Sequence, residues 1–185
     1  MTTANPPENT VERLVTRRYR DFAAYNSWAN RRLYAAAATL SEAQYRAPRG
    51  AFFGSVHGTL NHLLVGDRLW MRRLTGIGDE PAGLDAILFE TLQELALARI
   101  AEDARLQDYV DGLDSPTLTA DVTYTNVAGT RFTQMLATIL DHVFNHQTHH
   151  RGQVHCLISG FLGGDATPSL DLIAFQRETG VSRQD

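Results

Sequence analysis

Cysteine is almost absent from this sequence: Cys156 is the only one in 185 residues. A single cysteine cannot form an intramolecular disulfide, which fits a reducing compartment, and it excludes a cysteine-rich zinc module. Any bound metal must therefore be held by histidine and carboxylate side chains. Long apolar runs are missing as well, since no stretch approaches the roughly 20 apolar residues that span a bilayer. We expect neither a disulfide nor a membrane-spanning segment.

A basic surface for nucleic acid is also lacking. The formal net charge is -4 at pH 7, the pI is about 5.9, and the arginines are scattered rather than gathered into one tract. The first ten residues are polar, contain Pro6 and Pro7, and have no apolar core of the kind that a signal peptide needs. We therefore expect a cytoplasmic protein with no nucleic-acid or membrane partner. Residues 1–10 are expected to form a loose tail, and residues 11–185 a single domain.

Apolar residues recur at helical spacing over most of the chain. Four long helices are predicted, over residues 11–40, 55–74, 84–110 and 133–159. Between the last two, valine and tyrosine alternate with threonine over 118–133, which predicts a small hairpin or an irregular crossover. A short closing helix has room near the C-terminus, over 168–178. The sequence thus predicts an all-α four-helix bundle, an architecture that builds metal sites between facing helices.

Four of the seven histidines lie between residues 142 and 150. On a helix His146 and His150 are four residues apart and share a face, which is a common way to present two metal ligands. A helical projection places His150 near the middle of the apolar arc and His146 about 40° away, whereas His142 and His149 lie about 80° and 100° from His150. A lone histidine on an apolar face is usually a hydrogen-bonded core residue, but a pair favours metal binding. We predict His146 and His150 as ligands and His142 and His149 as solvated or supporting groups.

A catalytic zinc site usually has three protein ligands and one open position, so a third ligand is expected from another helix. His57 and His62 are five residues apart on the second predicted helix and point in different directions, so at most one can join the site. His62 is favoured because it lies in an almost wholly apolar stretch, residues 60–70, although it falls at the margin of the apolar arc. Asp67 lies in the same stretch, where an unpaired carboxylate would be costly. Three roles stay open for Asp67: a hydrogen bond to a ligand imidazole, direct metal binding, or an ion pair with an arginine.

Three other residues are candidates for binding a substrate. Arg151 could bind an anionic substrate or the carboxylate of a thiol, although a surface position or an ion pair is more common for arginine. Trp28 and Trp70 would favour an apolar or aromatic substrate if they line the cleft, but aromatic residues at helical spacing are usually in the core. The second predicted helix is apolar around much of its circumference, which predicts a homodimer formed through this region.

Residues 25–30 (YNSWAN), 60–70 (LNHLLVGDRLW) and 142–153 (HVFNHQTHHRGQ) are similar, in this order, to motifs of one family. With them the chain resembles, over nearly its whole length, the DinB family of bacterial four-helix metalloproteins. In that family one histidine of the second helix and two positions four apart on a later helix bind a divalent metal, which implies His62, His146 and His150 here. Related thiol-dependent enzymes have glutamate at the position of His146, so the resemblance is to the all-histidine version. It also implies a dimer and a transferase or isomerase that uses bacillithiol, mycothiol or glutathione.

A dication bound by three neutral imidazoles would keep its full positive charge. It could then lower the pKa of bound water towards about 7, or hold a thiol as its thiolate. The leading hypothesis is a metal-dependent transferase that activates a low-molecular-weight thiol for attack on an electrophilic small molecule. Zinc is the first choice of metal, with nickel, iron, copper and cobalt as alternatives. Two other functions stay open. One is a metal-dependent hydrolase. Gln147 stands where a His-Glu-x-x-His motif has its glutamate base, which weakens this alternative, but Asp67 could serve as the base. The other is a non-enzymatic bundle with a structural metal.

Overall fold

The computed structural model describes residues 10–182, most of which are helical. Four long helices form the bundle: α1 (Thr10–Ala37), α3 (Val56–Thr75), α4 (Leu92–Asp111) and α6 (Leu136–Leu162). The shorter elements are α2 (Glu42–Arg46), α5 (Ser115–Thr119), the antiparallel hairpin of β1 (Asp121–Thr125) and β2 (Arg131–Met135), a 3-10 turn (Gly164–Ala166), and α7 (Leu172–Glu178). The predicted all-α four-helix bundle is confirmed, together with its hairpin and its short closing helix.

The N-terminal tail and the absence of a membrane-spanning segment are the next two predictions. The predicted tail, residues 1–10, lies outside the described residues except for Thr10, which begins α1. Among residues 10–182, none of the helices combines the length and the apolarity that crossing a membrane requires.

Local signals in the sequence account for several helix ends. Ser41 caps α2 with a capping box: its hydroxyl accepts a hydrogen bond from the Gln44 N–H, and the Gln44 side chain accepts one from the Ser41 N–H. Ser55 caps α3 through its side chain. At the other end α3 stops at Gly76, whose φ of 72° is left-handed, a conformation that glycine adopts at little cost. The predicted bounds of this helix, 55–74, are therefore correct to within one residue.

The third long helix differs from its prediction. The apolar pattern predicts a start at residue 84, whereas α4 begins at Leu92. The preceding segment, residues 84–91, is not helical because a side chain of α3 binds its main chain. The Asn61 carbonyl oxygen accepts hydrogen bonds from the main-chain N–H groups of Leu88 (2.9 Å) and Phe89 (3.0 Å). These bonds hold the segment against α3 instead of letting it extend α4.

Two of the apolar clusters lie at different levels of the bundle, with a polar layer between them. One cluster includes Leu106, Val110, Leu136, Ile139 and Leu140. The other includes Leu33, Leu60, Leu63, Leu95 and Val154. On α6 the first cluster ends at Phe144 and the second begins at Val154. The intervening residues, 145–153, carry most of the histidine run, so that run lies at the level of the polar layer.

Much of the apolar surface of α3 is buried within a single chain. Leu63 and Leu64 are 0% exposed and Leu69 is 4% exposed, while Trp70 and Leu74 are half-buried. The apolar face that remains for contact with a second chain is thus smaller than the sequence suggests. The homodimer stays a prediction.

Candidate metal centre

Three histidines from two helices converge where α3 faces α6. His62 belongs to α3, and His146 and His150 belong to α6, about one helical turn apart. The Nε2 atom of His62 lies 3.0 Å from Nε2 of His146 and 3.2 Å from Nε2 of His150. In the part of the chain that the structure describes, this is the one group of three histidine, cysteine or acidic side chains whose ligand atoms all lie within 4.8 Å of one another. The structure therefore brings together the three predicted ligands.

Hydrogen bonds to the Nδ1 atoms of two imidazoles leave their Nε2 lone pairs available to a cation. Nδ1 of His62 lies 2.7 Å from the main-chain oxygen of Leu84, and Nδ1 of His150 lies 2.8 Å from the side-chain oxygen of Gln153. Because both oxygens can only accept, each Nδ1 carries the proton and donates it, which leaves a lone pair on each Nε2. Two lone pairs that face each other at 3.2 Å repel unless a cation lies between them. Tetrahedral zinc with bonds of about 2.0–2.1 Å sets its nitrogen ligands about 3.3 Å apart, so the spacing fits.

The three imidazoles are neutral at neutral pH, the state in which histidine binds a metal. Burial lowers the pKa of His62 to about 4. Burial and the neighbouring His150 lower the pKa of His146 to about 3. Burial likewise lowers the pKa of His150. No proton has to be displaced from these rings at pH 7 before a metal binds, so the centre is preorganised electrostatically as well as geometrically.

Two residues that are not ligands form the walls of the centre. The ring of Phe53, in the loop before α3, stacks on His62 with centroids 3.6 Å apart and makes a T-shaped contact with the ring of His150 at 5.5 Å. Gly66, one turn after His62 on α3, faces His146 so closely that a Cβ atom at this position would lie 2.9 Å from Cε1 of the imidazole. The absence of a side chain at Gly66 therefore makes the space that the His146 ring occupies.

We expect Gly66→Ala to weaken zinc binding about ten- to hundredfold, the range seen when groups that orient metal ligands are changed. The added methyl group must push the His146 ring away, while alanine is a better helix former than glycine, so α3 should remain folded. Competition with a chromophoric chelator measures the affinity. Gly152→Ala is the matched control, because Gly152 lies on α6 and a methyl group added there would have no contact within 4 Å. Equal affinities of the two variants would contradict this role for Gly66.

Asp67 is held by an arginine, one of the three roles left open by the sequence. Its Oδ2 atom lies 2.7 Å from Nη2 of Arg99, and its Oδ1 atom accepts a hydrogen bond of 2.6 Å from Gln147. Burial raises the pKa of Asp67 to about 6, and the Arg99 guanidinium opposes that shift. Asp67 is not a member of the group that could hold a metal. The carboxylate therefore supports the helix that carries the histidines through Gln147, which lies between His146 and His150 in sequence.

A ring of buried polar contacts extends from Asp67 across all four long helices. Arg99 of α4 also pairs with Asp103 at 3.1 Å. Asp103 accepts hydrogen bonds of 3.0 Å from Asn26 and from Asn30 of α1. The Asn26 side-chain oxygen in turn accepts from Arg151 of α6. This polar ring was not predicted from the sequence, although Asn26 and Asn30 on an apolar helix face, four residues apart, were a signal for it.

Arg151 and Trp28, two of the candidates for substrate binding, make structural contacts. Arg151 is 2% exposed. Its guanidinium hydrogen-bonds Asn26 in the ring of polar contacts and lies over the aromatic ring of Tyr25, 5.2 Å from its centroid. The Trp28 indole N–H donates a hydrogen bond of 2.7 Å to Glu178 at the end of α7, and its ring packs edge-on against Phe175 at 5.8 Å. These contacts weigh against a substrate role for either residue, since both side chains are already engaged.

Trp70, the third candidate, lies at the edge of the centre. Its half-buried ring meets His142 at 5.4 Å, and His142 meets His146 at 5.7 Å. On the other flank His149 is exposed, with its ring 4.7 Å from that of His150. The predicted flanking positions of His142 and His149 agree with this arrangement. Of the three candidates, Trp70 alone is connected by ring contacts to a ligand histidine.

Comparison with known protein families matches residues 9–184, nearly the whole chain, to the DinB family. Neither a curated protein nor a solved structure gives a significant match.

Proposed function

This chain belongs to the DinB family, and from its converging imidazoles we propose that it is a metal-dependent transferase that activates a low-molecular-weight thiol for attack on an electrophilic small molecule. The observation that carries the proposal is the meeting of three neutral Nε2 atoms, from His62, His146 and His150. We propose zinc as the metal, with nickel and iron as the alternatives. A dication bound there would keep its full charge and favour the thiolate form of a thiol at neutral pH.

The groups that hold the imidazoles support a thiol as the reacting partner. The acceptors behind His62 and His150 are a main-chain carbonyl and a side-chain amide, and both are neutral. Among residues 10–182 the ligand group contains no carboxylate. The protein therefore leaves the positive charge of a bound dication uncompensated in a half-buried site. An anionic ligand such as a thiolate sulfur would supply the missing negative charge.

The position of Asp67 supports thiol transfer over hydrolysis. A hydrolase that relies on a carboxylate as general base needs that base within hydrogen-bonding reach of the attacking water. Asp67, the carboxylate that could act as this base, is 1% exposed and already bound to Arg99 and Gln147. It would have to leave both partners to accept a proton from water at the centre.

In the proposed reaction the thiol sulfur forms a bond to an electrophilic carbon of the substrate. The leaving group departs with the electron pair of its bond to that carbon, and the thiol proton passes to solvent. Phe53 on His62 and Trp70 beyond His142 give the centre aromatic borders, which support an apolar or aromatic electrophile. We propose that the protein acts as a cytoplasmic homodimer on small molecules, without nucleic-acid or membrane partners.

The test is an assay of the zinc-loaded protein with 1-chloro-2,4-dinitrobenzene and, separately, glutathione, bacillithiol and mycothiol. We expect one thiol to give a rate of thioether formation at least about tenfold above that of the chelator-treated protein, because activation of a bound nucleophile typically contributes a hundredfold or more. Absorbance of the thioether product measures the rate.

The same preparations separate the alternatives. If no thiol gives a rate above that of the metal-free protein, the transferase proposal is wrong. Hydrolysis of an activated ester by the zinc-loaded protein alone would then favour the hydrolase. Loss of the helical circular dichroism signal on chelation, without either activity, would favour a structural metal.

A further inference from the structure

Gln153 lies behind one of the three histidines and contacts a second histidine as well. It is on α6, three residues after His150, and its side chain is half-buried. Its Oε1 atom lies 2.8 Å from Nδ1 of His150. Its Nε2 atom lies 3.3 Å from Nε2 of the exposed His149. One amide group thus bridges two neighbouring imidazoles at the edge of the centre.

These two contacts determine the direction of the amide and the protonation of both rings. Because the amide oxygen faces His150, Nδ1 of that ring must carry the proton, and Nε2 keeps the lone pair that a metal needs. Because the amide NH₂ faces His149, Nε2 of that ring must accept. If the amide were reversed, its NH₂ would donate to Nδ1 of His150, the proton of that ring would move to Nε2, and Nε2 could not bind a metal. The arrangement shown is the one that leaves the Nε2 lone pair of His150 available to a metal.

We infer that Gln153 is a positioning residue for the metal centre: it holds His150 in the tautomer and orientation that present Nε2 to the metal. The inference rests on the proposed metal site, and it concerns metal binding rather than the reaction. His62 is positioned by the main-chain carbonyl of Leu84, which a substitution cannot remove. Gln153 is therefore the place where the support of a ligand can be tested by changing one side chain.

The choice of an amide rather than a carboxylate has a chemical consequence. A carboxylate that accepts the N–H of a ligand histidine attracts the proton of the nitrogen that does not bind the metal. The imidazole then becomes a stronger donor to the metal, and the carboxylate adds a negative charge to the site. An amide oxygen orients the ring without that charge. Gln153 therefore adds no negative charge to the centre, which favours an anionic sulfur on a bound dication.

The experiment compares two substitutions at one position. Gln153→Leu removes the acceptor at similar size, and we expect zinc affinity to fall about ten- to hundredfold, the usual cost of losing such a partner. Gln153→Glu keeps the acceptor, and we expect affinity at or above that of the natural protein. Chelator competition measures zinc affinity, and the visible spectrum of the cobalt(II) protein reports the geometry of the ligands.

Two control variants assign the effect. Gln107→Leu changes the same residue type on α4, where the amide donates to Asp111, and it should leave zinc affinity unchanged. His149→Ala removes the second contact of the Gln153 amide and should leave affinity within about threefold of the natural protein if the amide acts through His150.

Three outcomes would overturn the inference. The first is a Gln153→Leu protein with unchanged affinity and an unchanged cobalt(II) spectrum. The second is an equal loss in Gln153→Leu and Gln153→Glu, since a structural role of the amide would not be rescued by glutamate. The third needs no variant: long-range nitrogen–proton NMR of the zinc-loaded natural protein should show His150 bound through Nε2 with its proton on Nδ1, and the opposite tautomer contradicts the inference. Metal binding is measured in each case, so failure here is distinct from failure of the thiol assay.

Discussion

Replacement of His146 by alanine should lower the metal content of the purified protein from about one divalent ion per chain to about a tenth or less. Only His62 and His150 then remain, with their Nε2 atoms 3.2 Å apart, and two neutral ligands hold a dication much more weakly than three. Elemental analysis of protein made without a histidine tag measures the effect, since a tag would itself bind metal.

The neighbouring histidines of the same helix provide matched controls for this result. His142 and His149 are exposed, and neither belongs to the group whose ligand atoms converge. His142→Ala and His149→Ala should therefore keep their metal. Full metal content in His146→Ala would show that the site lies elsewhere. A similar loss in all three variants would show that the histidine run binds metal as a loose cluster, without a defined set of three ligands.

Replacement of Arg99 by leucine should lower the free energy of unfolding by about 3–5 kcal/mol, the range found when one partner of a buried ion pair is removed. Arg99 is 2% exposed, and its Nη2 atom lies 2.7 Å from Asp67 and 3.1 Å from Asp103. Leucine would leave both buried carboxylates without their ion-pair partner. Urea denaturation at neutral pH measures the change, with metal-free protein so that metal binding does not contribute.

The control for Arg99→Leu is an ion pair of the same sequence spacing on the surface. Arg17 and Asp21 are also four residues apart on one helix, at 3.5 Å, but both side chains are more than half exposed. Arg17→Leu should therefore change the free energy of unfolding by no more than about 0.5 kcal/mol. If the two variants are equally stable, the polar ring does not hold the four helices together.

The sequence predicts the ligand histidines to different degrees. Spacing of four residues is enough to pair His146 with His150, because the geometry of a single helix places them on one face. His62 lies on another helix, and its own wheel places it only at the margin of the apolar arc. Its assignment from sequence therefore rested on the apolar stretch around it and on the family motif. In the structure its Nε2 atom lies 3.0 Å from Nε2 of His146 because α3 and α6 face each other in the bundle.

The groups behind the ligands were harder to predict. Leu84 supports His62 through its main-chain oxygen, an atom that every residue has, so no residue type marks this position. The sequence of residues 84–91 suits a helix, and it leaves the helix because Asn61 binds its main chain. In the sequence Gln153 is only a polar residue beside the histidines. Its role depends on the direction of its side chain, which places the side-chain oxygen 2.8 Å from Nδ1 of His150.

By itself, the sequence determined the all-α class, the bounds of α1, α3 and α6 to within three residues, and the pairing of His146 with His150. These features depend on apolar periodicity and on helix geometry, which are local properties of the chain. Only the tertiary structure decided that Asp67 pairs with Arg99 and that Leu84 supports His62. Such contacts join residues far apart in sequence. Their free energy depends on burial and on the distances between helices, which no local pattern contains.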